Sequence, residues 1–141
     1  MSSPWRPSLE SRALGTVPFD SYASWRDACG MNDKQMRKKL RELADQAHEE
    51  ELRRALTPLA EAFERWRVRA VSSFEISDLI HEFHQGPSRR IWGTYNALKP
   101  NALVARAVAL GLLARETLPT ELAASLAQRI KAFKADADNQ P

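Results

Sequence analysis

Apolar side chains recur every three or four positions over most of this chain, the period of one face of an α-helix. Met36, Leu40, Leu43 and Ala47 begin the pattern after Asn32 and Asp33, either of which can cap a helix. Past the acidic run Glu49-Glu50-Glu51 the stripe resumes as Leu52, Leu56, Leu59, Phe63, Trp66 and Ala70. Its alternating steps of four and three suit helices packed at a shallow angle. Thr57-Pro58 interrupts the stripe. Proline lacks a backbone donor and crowds the preceding turn, so two antiparallel helices or one bent helix would both satisfy it.

Ser72 followed by Glu75 matches a capping box, and Ile76, Leu79, Ile80 and Phe83 form the next apolar face. Gly86-Pro87 is expected to end that helix. A short helix with Ile91, Trp92 and Tyr95 comes next, then a turn at Lys99-Pro100-Asn101 with Asn101 as cap. Residues 102–114 are apolar on nearly every side, interrupted by Arg106. Such a segment needs cover all round and is expected at the centre of the fold, with Gly111 admitting a close neighbour. A last helix carries Leu122, Leu126, Ile130 and Phe133 on one face. The pattern predicts an all-α fold, a compact bundle of five or six helices around a central apolar helix. On that reading Trp66 and Leu110 are core, and truncating either to alanine costs about 3 kcal/mol or more.

The helical domain is expected to span residues 32–135. Residues 1–31 hold Pro4, Pro7 and Pro18 and one amphipathic stretch from Phe19 to Gly30, so a disordered or loosely helical N-terminal extension is expected. Residues 136–141 read as a disordered tail. Hydrophobic and charged fractions of 43% and 28% are those of an ordinary globular chain, and no apolar run reaches the length of a membrane span. Cys29 is the single cysteine, which excludes an internal disulfide and points to a reducing, cytoplasmic setting. A net charge of +3 neither demands nor excludes a nucleic-acid partner.

Candidate chemistry concentrates in residues 72–96. Asp78, His81, Glu82 and His84 are metal-ligand types within seven positions. The two histidines are three apart rather than the four of the zinc-protease HExxH motif, so Asp78, His81 and Glu82 are weak metal candidates. No glycine-rich loop, nucleophile–base pair or cofactor signature accompanies them, and neither catalysis nor a cofactor is expected. Lys34, Arg37, Lys38 and Arg41 make a basic stripe able to meet phosphates, and Arg89-Arg90 precede Trp92 and Tyr95.

The run Phe74, Glu75, Ile76, Ser77, Asp78, Ile80, His81, Glu82, Phe83, His84 and Gly86 continues into Arg89 or Arg90, Trp92 and Tyr95. It resembles the core tract of a group of small bacterial helical proteins that carry no assigned activity. The resemblance spans about residues 33–133 and implies a compact helical domain. The function expected is a non-catalytic protein-interaction or regulatory module, with self-association or another protein as partner. Its contact surface is expected at His81, His84, Arg89, Arg90 and Tyr95. The alternative is a nucleic-acid-binding accessory protein using Lys34, Arg37, Lys38, Arg41 and the Arg pair.

Overall fold

A computed structural model describes residues 31–141. Contacts divide the chain into Met1–Asn32 and Asp33–Pro141, and the architecture below is that of the second unit. The expected extension, the helix from Phe19 and the role of Cys29 lie outside the described residues. Among those residues the fold is all-helical.

Helix α1 runs Asp33–Arg67, 35 residues with Pro58 inside it. At 1.5 Å per residue the rod is about 52 Å long. Proline denies the Arg54 carbonyl its usual donor, yet the helix carries on. Thr57 Oγ1 donates to the Arg53 carbonyl at 2.8 Å, keeping that turn occupied. Of the two arrangements the sequence allowed, one long helix forms. It closes with a Schellman turn: Arg69 sits at φ 61° and the Ala70 N–H reaches back to the Arg65 carbonyl at 2.8 Å.

Helix α2, Ser73–Phe83, opens on the capping box, with Glu75 N–H donating to Ser72 Oγ at 3.1 Å. The Ser72 N–H donates back to Glu75 Oε2 at 2.8 Å. Gly86-Pro87 does not end the rod. Residues His84–Ser88 form a π-helical turn that leads directly into α3, Arg89–Ala97, with helical backbone angles at both joints. The wider turn takes up a ring that would clash in an α-helix. Residues 73–97 are therefore one rod.

Helix α4 is Pro100–Ala109, with Lys99 as N-cap and proline at its first position. Asn101 is thus inside the helix rather than its cap. The helix is shorter than the apolar run that encodes it. Gly111 at φ 72° and the Leu112 N–H to the Ala107 carbonyl, 2.8 Å, stop it with the same Schellman geometry as α1. Gly111 is there for its backbone angle; a Cβ built on it meets nothing within 4 Å, so no neighbour approaches it closely. A 3-10 turn, Arg115–Thr117, precedes α5, Thr120–Asp138, which runs past the expected boundary at 135.

The five α-helices of the described residues make four rods, because α2 and α3 run on without a break. One core cluster joins Leu43, Ala44 and Ala47 of α1 to Leu103, Val104, Ala105, Ala107 and Val108 of α4 and Leu122, Leu126 and Ile130 of α5. Leu113 and Leu118 between the helices complete it. The α1 rod also packs against the 73–97 rod, where Ala62, Ile76 and Ile91 are the buried residues. Two residues expected in the core lie outside it. Leu110 caps α4 and is 42% exposed, and Trp66 near the end of α1 is 41% exposed.

Candidate interaction surface

Arg106 is a cation on a helix whose neighbours Ala105 and Ala107 are fully buried, so its guanidinium needs an acceptor. The sequence provides one on α1. Arg106 Nη1 donates to Glu51 Oε2 at 2.8 Å and Nη2 to Oε1 at 2.9 Å, a two-pronged pair. Tyr95 of α3 donates its hydroxyl to the same Oε2 at 2.9 Å, and the His48 ring stacks on Tyr95 at 4.2 Å and 11°. Side chains of α1, α3 and α4 thereby meet at one carboxylate. The pair is one-fifth exposed or less on each side.

The electrostatics of this clamp are those of a structural contact. Hydrogen bonds from Arg106 hold the Glu51 carboxyl below its ordinary range against the opposing effect of burial, with Tyr95 and Arg90 adding to the lowering. Glu51 in turn pushes the Arg106 guanidinium up. Burial, then the hydrogen bond to Glu51, raises the Tyr95 phenol. A carboxylate held ionised by three donors is a poor proton acceptor, so the cluster fixes helices rather than moving protons.

The expected contact residues separate into two groups. His81, His84, Arg89 and Arg90 are exposed on the 73–97 rod, Arg89 Nη1 donating to Gln85 at 3.2 Å. Tyr95 is turned inward, engaged with Glu51. Asp78, His81 and Glu82 are all exposed, and among the described residues no three His, Cys, Asp or Glu groups are placed to hold a metal ion. Three ligand types on one helix face water unless a second element brings another.

Lys34, Arg37, Lys38 and Arg41 are exposed along α1, as the polar side of the stripe requires. Arg37 and Arg41 line a shallow cleft of about 300 Å³ with Leu40, Lys99, Pro100 and Asn101; Lys34 and Lys38 lie outside that lining. Lys99 joined to Arg37 and Arg41 is a grouping that sequence order conceals. The clamp was equally hidden, though a lone arginine in an apolar run is the signal that could have found it.

Large apolar side chains are distributed unevenly. Among the described residues eight are exposed, and seven of these lie between Leu56 and Trp92: Leu56, Phe63, Trp66, Val68, Phe74, Ile80 and Trp92. Phe74 is 85% exposed and Trp92 67%. The main core cluster contains no residue from this stretch. Its walls also carry a cleft of about 350 Å³ between α1 and α2, lined by Ala55, Pro58, Leu59, Arg65, Leu79, Glu82, Phe83 and Pro87. No protein-family model, no curated protein and no solved structure matches this chain. No helix among the described residues is long and apolar enough to cross a membrane.

Proposed function

We propose that this chain is a non-catalytic protein-interaction module, in which α1, α4 and α5 form the scaffold and residues 56–92 present the contact face. The observation that carries the reading is the concentration of exposed apolar side chains in that stretch. Scattered single apolar residues are normal on a protein surface; seven on the second half of α1 and the 73–97 rod, which also carries the exposed His81, His84, Arg89 and Arg90, exceed such scatter. In this reading α4 is the central helix of the domain. The likeness of the 74–95 tract to small bacterial helical proteins is part of the same proposal. A cytoplasmic setting suits a chain with one cysteine.

Photo-crosslinking in the native cell tests it. A photoreactive side chain at position 92 should give a discrete adduct, while one at the exposed Lys131 of α5 should give none. Equal labelling at the two positions, or no adduct at either, would remove the proposal.

The cleft shared by Arg37, Arg41 and Lys99 supports a second reading, binding of a nucleic-acid backbone. Phosphate contacts release counterions, so affinity for a mixed-sequence duplex should fall steeply with salt and drop in Arg41→Ala. Binding that is absent at low salt disposes of this reading.

A further inference from the structure

One row of α1 stays in solvent along its whole length: Glu49, Arg53, Leu56, Ala60, Phe63 and Arg67 are all exposed. Steps of four and three place them on one side of the helix, turned away from the side where Ala62 is buried and Ala55 half-buried. Along the row runs a shallow groove of about 370 Å³, lined by Glu49, Leu52, Arg53, Leu56, Thr57 and Ala60. The row is charged at both ends and apolar in the middle, and the end charges have opposite sign.

We propose that this row pairs with the same row of a second copy of the chain, antiparallel about a two-fold axis near Pro58. The row shares Leu56 and Phe63 with the contact face argued above, and the claim rests on that reading for this part of it. Under such an axis Glu49 of each copy faces Arg67 of the other. Leu56 faces Ala60, a large side chain over a small one. Phe63 enters the groove walled by Leu52 and Leu56, with Arg53 over its ring and Glu64 of the second copy beside that guanidinium. A parallel pairing would put Glu49 on Glu49 and Arg67 on Arg67, so charge selects the antiparallel one. Within each copy the Arg67–Glu64 pair that must yield is weak, 3.7 Å with both side chains more than 70% exposed, and Phe63 stands edge-on to Trp66 at 6.3 Å. An isologous interface of this kind needs no second protein and covers an apolar strip that the described residues leave bare.

Sedimentation equilibrium of the full chain, with charge swaps, is the test. A reversible dimer is expected, weakened about tenfold by Glu49→Arg or by Arg67→Glu alone, since each turns two attractions into repulsions. The double variant should regain the original affinity, because the swapped charges again face opposite signs. Phe63→Asp should be monomeric with helicity unchanged by circular dichroism, which separates loss of pairing from loss of fold. A chain that stays monomeric up to about 500 μM, well above any useful affinity, overturns the proposal, as does a dimer indifferent to the swaps. If the chain is monomeric yet position 92 crosslinks a different protein, the second copy is wrong and the interaction module stands. If neither association is seen, both fall.

Discussion

Truncating Arg106 to alanine removes both guanidinium donors from Glu51 and leaves a carboxylate, 17% exposed, with Tyr95 as its remaining side-chain donor. Exposed ion pairs contribute about 0–1 kcal/mol, whereas breaking a fully buried pair costs about 3–5. At one-fifth exposure this pair falls between, and a loss of about 2 kcal/mol is expected at neutral pH. The loss depends on pH in a defined direction. Glu51 titrates below its ordinary value of 4.5 in the folded protein, so its contribution is full above that value. It disappears as pH falls through the lower, folded value. In Arg106→Ala the largest cause of that lowering is gone and burial pushes Glu51 the other way. The gap between variant and parent should therefore narrow on acidification. Urea denaturation of both proteins at about pH 7 and about pH 3 measures it, as a difference in midpoint at equal slope. A loss under about 0.5 kcal/mol at neutral pH, or an equal loss at both, would refute the clamp as the joint between α1, α3 and α4. Replacing Glu51 and Arg106 together by leucine should recover most of the stability, because no uncompensated charge remains.

Other outcomes follow from packing and backbone geometry. Leu43→Ala, at 1% exposure in the main cluster, should cost about 3 kcal/mol, while Leu110→Ala, 42% exposed, should cost about 1 or less; thermal unfolding distinguishes them. Ser72→Ala loses the capping-box acceptor for the Glu75 N–H and should cost about 1 kcal/mol in the same assay. The matched Schellman turns predict opposite signs. Arg69→Gly should stabilise by about 0.5–1 kcal/mol, since glycine holds φ 61° without strain, and Gly111→Ala at φ 72° should destabilise by about 1. A neutral result at both turns would mean these backbone angles carry no strain.

Local signals were the ones the sequence carried most openly. Ser72 and Glu75 close on each other three residues apart, so their capping box needs no tertiary information. The stripe Leu122, Leu126 and Ile130 reads as a buried face because α5 has α4 to cover it. The stripe from Leu52 to Trp66 has the same spacing but a different fate. Among the described residues the 73–97 rod is what covers the end of that stripe, so Ala62 is buried while Leu56 and Phe63 are not. Spacing shows which residues share a face; it does not count the layers laid over it. Gly86-Pro87 carries a stop signal in any local reading, yet the π-helical turn absorbs the ring and lets packing along α1 continue. Glu51 looked like one acid in a solvated run, and its meaning rests on Arg106, 55 positions away. A contact of that range is set by how α4 lies across α1. The cation cluster of Arg37, Arg41 and Lys99 depends on the same crossing.

Hydroxyl-radical footprinting of the chain in its own cell extract, compared with the dilute purified protein, tests the contact face most directly. Oxidation of Phe63, Phe74 and Trp92 should be lower in the extract, with Phe133 on α5 unchanged. Equal oxidation of all four in the two samples would contradict it.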